Sequence, residues 1–311
     1  MTIPEMLKII RQLSGLPQEK LAQTFGVSFP TFNKWINGKS IPHPKTSAHI
    51  EDVYLEYTGQ KKIPVEKLAA QKQHIMAKSR EHGDVLKTIL DNPDIYNQFM
   101  LSLTYHTNRI EGSTLSEAQT AAVLFENSVF PDKSLIEHLE VKNHQAALDY
   151  LLNYMASKPR LLDEQLILTL HGKLMNSIRP DAGWYRRHSV RIVGVDVPTA
   201  NYLSIPVLMN ALVENIAAQS PSDIIAPIVE IHSRFEQIHP FSDGNGRIGR
   251  LLIHAMALRW NLPPAVIRQE QKGLYYTYLA KAQQSQHQDL SLLEDFLCHA
   301  FLEGFRILER K

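Results

Sequence analysis

The chain has 311 residues, of which 44 % are hydrophobic and 21 % charged, with a formal net charge of +1. That length supports one large core or two to three small domains. The near-neutral balance excludes a global electrostatic case for nucleic acid or membrane and leaves only local ones. One cysteine, Cys298, excludes an internal disulfide and a cysteine zinc site and fits a reducing cytoplasm. No basic-then-apolar leader and no uncharged apolar run of roughly 18 residues is present, so a cytoplasmic protein without a membrane span is expected.

Three regions follow in chain order. Residues 1–58 place Leu7, Ile10 and Leu13 at helical spacing, with Gly15 and Gly26 punctuating short helices and Ser28 as a candidate N-cap. Pro42 and Pro44 stop that segment. Residues 59–155 read as helical, broken at Gly59, Gly83 and Asn92-Pro93, and carry the segment Thr107-Asn-Arg-Ile-Glu-Gly112. Residues 156–302 are also mostly helical. The exception is residues 187–197, where Val190, Ile192 and Val193 precede Gly194, a pattern expected to form a short β-hairpin or flap. The expected class is therefore mainly α.

The chemistry concentrates in one string. Apolar residues at 228, 231, 235 and 238 make one helix face, Pro240 ends it, and a new helix opens near Arg247. Between them lies His239-Pro-Phe-Ser-Asp-Gly-Asn-Gly-Arg-Ile-Gly-Arg250. A glycine-bearing loop at a helix N-terminus gathers backbone N–H groups into an anion-binding concavity. Arg247 and Arg250 can supply forked contacts to phosphate oxygens. Asp243 can hold Mg²⁺ beside a phosphate. His239 can take a hydroxyl proton near neutral pH. Three other readings compete. Gly244 to Gly249 formally matches a dinucleotide fingerprint, but that motif follows a strand and here a helix precedes it. A hydrolytic metal site from His232, His239 and Asp243 matches no zinc spacing and leaves the glycines unexplained. A capped turn between core helices explains the glycines but not the converging His, Asp and two Arg.

The string His-Pro-Phe-x-Asp-Gly-Asn-Gly-Arg-x-x-Arg resembles the signature of the Fic (Fido) family. Asp181-Ala-Gly-Trp-Tyr-Arg186, Pro263-Pro264 and Tyr275-Tyr276 agree with family positions, and the resemblance covers roughly residues 100 to 300. It implies a helical fold with a β-flap clamping a target peptide, ATP as substrate, and Mg²⁺. By resemblance His239 is the catalytic base and Asp243 the metal ligand. Gly244, Asn245 and Gly246 form the anion hole, Arg247 and Arg250 meet the outer phosphates, and Phe241 anchors the loop. Kinase relatives carry lysine at the place of Gly246, so glycine there favours AMP transfer. Val193 and Gly194 lie on the flap beside the nucleotide, and Tyr275, Tyr276 and Gln283 line the adenine or ribose pocket. The implied activity is protein adenylylation. AMP passes from ATP to a Tyr, Thr or Ser hydroxyl of a target protein, either another protein or the chain itself. The resemblance also makes a homodimer an expectation.

Two further segments carry resemblances. Thr107 to Gly112 is similar to the family's inhibitory motif, which implies that Glu111 pairs with Arg250 and blocks placement of the γ-phosphate. In some relatives the same glutamate positions water to remove AMP again. Residues 6–40 resemble the lambda-repressor-like helix-turn-helix class. Gln18-Glu-Lys-Leu-Ala-Gln is the first motif helix, Phe25-Gly-Val-Ser the turn, and Thr31-Phe-Asn-Lys-Trp-Ile-Asn-Gly38 the recognition helix. Residues 1–40 carry five Lys/Arg and two Glu, a difference of +3, which suits phosphate contacts. Ser28, Thr31, Asn33, Lys34 and Lys39 are the candidate DNA-facing residues, while Leu21, Ala22, Val27 and Trp35 are candidate core. A docking module without DNA binding is the competing reading. At the level of the whole chain, the alternative to an autoinhibited transferase is a DNA-binding regulator that only senses ATP. Such a sensor has no need of His239 beside the anion hole.

Overall fold

The computed structural model describes residues 1–157, 161–191, 198–218, 223–284 and 289–310, and among these no strand is present. In chain order the helices are α1 (Ile3–Ser14), α2 (Gln18–Thr24), α3 (Phe29–Ile36), α4 (Pro44–Tyr57), α5 (Val65–Glu81), α6 (Val85–Asp91), α7 (Pro93–Glu111) and α8 (Glu117–Glu126). They continue with α9 (Leu135–Ala156), α10 (Glu164–Leu174), α11 (Ile205–Ala218), α12 (Ile225–Ile238), α13 (Asn245–Arg259), α14 (Lys272–Gln284) and α15 (Ser291–Leu308). The mainly α class read from the sequence holds. The expected flap falls largely on residues 192–197, and it lies outside the described residues together with Val193 and Gly194.

The chain packs as two compact units, Met1–Pro64 with Glu270–Leu293, and Val65–Gln269 with Glu294–Lys311. The first contains α1 to α4 and α14. Its helix ends are set locally. Thr2 and Glu5 form a capping box on α1, and Ser28 caps α3 by accepting from the Thr31 N–H. Its core joins Leu7 and Ile10 of α1, Leu21 of α2, Phe32 and Trp35 of α3, and Ile50 of α4, with Leu274 of α14 packed against it. Each large apolar side chain buried there contributes about 1.5–3 kcal/mol relative to exposure.

In the second unit, the breaks read from the sequence are helix boundaries. Asn92 caps α7 by accepting from the Asp94 and Ile95 N–H groups, Pro93 opens the helix, and Gly112 closes it. Helix α13 is the centre. Every residue from Arg247 to Leu258 is buried, so it has no solvent face. It packs against α7, α9, α10 and α12, and Arg247, Arg250 and His254 are enclosed along with its apolar residues. The loop joining α12 to α13 is thereby held against the middle of a helical cluster.

Candidate active site

The loop from His239 to Gly244 is fixed by one ring stack and by side chains that hydrogen-bond backbone groups a turn would otherwise leave open. His239 ends α12 in the left-handed region, φ 52° and ψ 61°, a strained backbone for a non-glycine residue. Buried Arg186 holds it there. Its Nε donates to the His239 carbonyl at 2.7 Å, and its terminal nitrogens donate to the carbonyls of His188 at 2.6 Å and Ala200 at 2.7 Å. The Asn245 side chain staples the turn, accepting from the Phe241 N–H at 2.9 Å and donating to the Phe241 carbonyl at 2.8 Å. The fully buried Phe241 ring stacks on His171 at 3.7 Å and 6°. His171 accepts from the Gly183 N–H at its Nδ1, so its Nε2 donates to the Asp243 carbonyl at 3.1 Å. Gly244 then takes φ 80°, which a side chain rarely adopts, and α13 begins.

This frame orients the chemistry. His239 Nδ1 lies 3.2 Å from the Glu236 carbonyl oxygen. A carbonyl only accepts, so Nδ1 carries the hydrogen and Nε2 is left with a lone pair. Burial lowers the His239 pKa, chiefly by desolvation, which keeps the imidazole neutral and basic at pH 7. Asp243 projects from the loop with its side chain 54 % exposed, one oxygen receiving the Gly244 N–H at 2.6 Å. The Asn245 side chain is spent on Phe241, so its share in any anion hole is its backbone N–H.

The two arginines are buried, with side chains 3 % and 4 % exposed. Arg250 Nε donates to Thr107 Oγ1 at 2.7 Å and its Nη2 pairs with Glu111. Thr107 and Glu111 are four apart on α7 and therefore share a face, so one helix surface grips the guanidinium with two acceptors. A Cβ added to Gly246 would come 2.5 Å from Glu111 Oε1. The Glu111 carboxylate thus occupies the space directly over the first turn of α13. Arg247 Nη1 donates to Glu140 of α9 at 2.7 Å and its Nη2 lies 3.5 Å from Asp243.

Behind the loop, His232, Glu236 and His254 are buried close to Arg250. Burial, then the Arg250 charge, hold His232 and His254 down at about 3. Burial pushes Glu236 up to about 8 despite Arg250. Glu236 is neutral at pH 7 in this setting, with one oxygen packed where a Cβ on Gly249 would stand.

Of the remaining sequence candidates, Tyr275, Tyr276 and Gln283 lie on α14 in the first compact unit, where Tyr275 is fully buried. In that unit Lys34 and Lys39 are exposed, Ser28 is engaged as a cap, and Asn33 donates to Gln18 of α2 at 3.2 Å. Arg186, His171, Glu140 and Glu236 are site residues to which the sequence reading assigned no role. Only Arg186 carried a signal, as the last residue of the quoted Asp181 to Arg186 segment.

Residues 161–257 match the Fic/DOC family and residues 7–54 a helix-turn-helix family. A protein adenylyltransferase Fic from Nematostella vectensis is 35 % identical over 182 residues, covering 57 % of this chain and 42 % of that protein. The chain thus spans less than half the length of that relative. Among solved structures, a Fic-domain signalling protein from Bacteroides thetaiotaomicron superposes with a TM-score of 0.65 at 23 % identity, covering 77 % of this chain and 98 % of the other. A Fic protein fragment from C. elegans gives 0.67 at 24 % identity, covering 86 % and 78 %. These two likenesses establish the fold.

The neutral Glu236 generates a pH test. A carboxyl raised from 4.5 to about 8 in the folded state stabilises fully below the lower value. That stability declines as pH rises through the window, by up to about 1.4 kcal/mol per pH unit. Glu236→Gln removes the titration. Its unfolding free energy should gain on wild type by on the order of 3 kcal/mol between pH 5 and pH 8 in urea titrations. A difference that stays constant with pH would mean that Glu236 ionises as a solvated carboxyl.

Proposed function

We propose that this chain, which carries a Fic/DOC domain over residues 161–257 and a helix-turn-helix domain over residues 7–54, is a protein adenylyltransferase held back by its own Glu111. The observation that carries the reading is a neutral, anchored His239 set at the mouth of a glycine-bearing helix N-terminus that also holds two buried arginines. A structural turn requires no such convergence, and a nucleotide sensor requires no base.

The reaction follows from that arrangement. ATP lies with its phosphates over the first turn of α13, where backbone N–H groups and the helix dipole favour negative charge. His239 Nε2 takes the proton of a target Tyr, Thr or Ser hydroxyl. The oxygen bonds to the α-phosphorus as the bond to pyrophosphate breaks, leaving the target esterified with AMP. Arg247 and Arg250 stabilise charge on the outer phosphates, so positioning and electrostatics supply most of the rate. Mg²⁺ fits the half-exposed Asp243 carboxylate, a hard oxygen donor beside the expected phosphates. No group of three or more metal-ligating side chains exists among the described residues, so the polyphosphate would complete the ion's shell. When bound, the ion neutralises phosphate charge.

Glu111 competes with this. Its carboxylate takes the guanidinium of Arg250 and fills the space over Gly246 that a γ-phosphate needs. A hydrogen bond to a charged group contributes about 1.5–3 kcal/mol, which biases the competent population roughly ten- to a hundred-fold. For the first unit we propose DNA binding through α3, supported by exposed Lys34 and Lys39 on and just beyond that helix.

Two measurements test these proposals. With α-labelled ATP and Mg²⁺, Glu111→Gly should raise labelling of the protein or its target by about ten-fold or more. Adding His239→Ala to that variant should abolish labelling while ATP affinity stays within about three-fold, because the base acts on the target hydroxyl. Equal rates for wild type and Glu111→Gly would remove the brake, and wild-type transfer by His239→Ala would remove the mechanism. For DNA, Lys34→Ala and Lys39→Ala should each shallow the logarithmic salt dependence of binding by about one unit. Binding indifferent to salt would assign the module to protein docking.

A further inference from the structure

One carboxylate beside the loop has no part in the reaction described above. Glu140 lies on α9, its side chain 16 % exposed, and its Oε1 accepts from Arg247 Nη1 at 2.7 Å. Arg247 is more deeply buried still, at 3 %. Its Nε is enclosed and makes no hydrogen bond. Its Nη2 stands 3.5 Å from Asp243, too far for a firm bond. Glu140 therefore engages one corner of the group through Nη1 and leaves the Nη2 end, which faces Asp243 on the loop, without a firm bond.

The charges around Glu140 fit that arrangement. Burial raises its pKa, Arg247 draws it down, and the negative charges of Asp243 and Glu111 oppose ionisation. Three carboxylates thus face one region that holds two guanidiniums. Their circumstances differ. Glu111 occupies the space over Gly246, whereas no side-chain atom of Glu140 comes among the three nearest to an added Gly246 Cβ. Glu111 obstructs the cradle and Glu140 braces it from the side.

We propose that Glu140 is a positioning residue for nucleotide binding. It fixes the Arg247 guanidinium so that its Nη2 end, facing the loop, is presented to the β- or γ-phosphate oxygens. The proposal rests on the reading of the loop as an ATP site. Without Glu140 the buried guanidinium would turn further toward Asp243, and both Nη2 and the carboxylate would be lost to the phosphates.

The test uses the full chain with Glu111→Gly as parent, so that the brake does not mask the effect, and titrates ATP with Mg²⁺ by calorimetry beside AMP. Glu140→Ala should weaken ATP binding by about ten-fold or more, as expected when one partner of a buried charge pair is removed. AMP, which lacks the outer phosphates, should bind as it does to the parent. Glu140→Gln, which keeps the oxygen acceptor, should restore ATP affinity to within about three-fold of the parent. Adding Glu140→Ala to Arg247→Ala should change ATP affinity by less than about two-fold, because the two side chains act as one unit. Undiminished or tighter ATP binding by Glu140→Ala overturns the inference, as does a Gln variant that loses as much as the alanine. Equal losses for ATP and AMP would make Glu140 a general structural support and overturn it as well. A parent that binds ATP yet labels no protein overturns the transferase reading alone, and the titrations still decide the role of Glu140.

Discussion

Two guanidiniums buried in a helical core are the constraint from which the rest of this structure follows. Arg247 and Arg250 lie one turn apart on α13, a helix with no solvent face. A buried, unpaired charge costs several kcal/mol, so each needs an acceptor close by. Arg250 finds Thr107 and Glu111 on α7, and Arg247 finds Glu140 on α9. Those pairings tie the entry of α13 to two helices distant in sequence. They also place positive charge where an anion can compete for it. What stabilises the resting fold is then also what a polyphosphate must displace or share.

The loop ahead of those arginines shows how a strained backbone is kept. A left-handed His239 costs of order 1–3 kcal/mol, and Arg186, Asn245 and His171 together supply the hydrogen bonds that offset it. The same strain sets the imidazole over the Glu236 carbonyl and so selects its tautomer. Backbone conformation and tautomer are one choice here.

The low dielectric that strengthens these pairs also neutralises the groups around them. His144, His232 and His254 are held down at about 3 by burial, and Glu236 is held up at about 8. Near Arg250, neutral imidazoles avoid repulsion that charged ones would add. A neutral Glu236 leaves the guanidinium to Glu111, which is partly exposed and reaches it from the open side. Burial thus decides which carboxylate acts on the site.

Features with a short sequence range were legible from the residues alone. The helix break at Asn92-Pro93 and the cap at Ser28 are interactions within a few positions, and they form where the residues predict. The same holds for the loop string from His239 to Arg250. Which partners those residues meet was a different matter. Arg186 reaches across 53 positions to the His239 carbonyl, His171 across 72 to Asp243, and Glu140 across 107 to Arg247. Nothing local marks Glu140 over Glu137, the other glutamate of α9, or Glu236 as neutral. Hydrogen bonds within one helical turn are specified by the order of residues. Pairing between helices, and the burial that shifts a pKa, are specified by which faces pack together, and only the tertiary structure decides that.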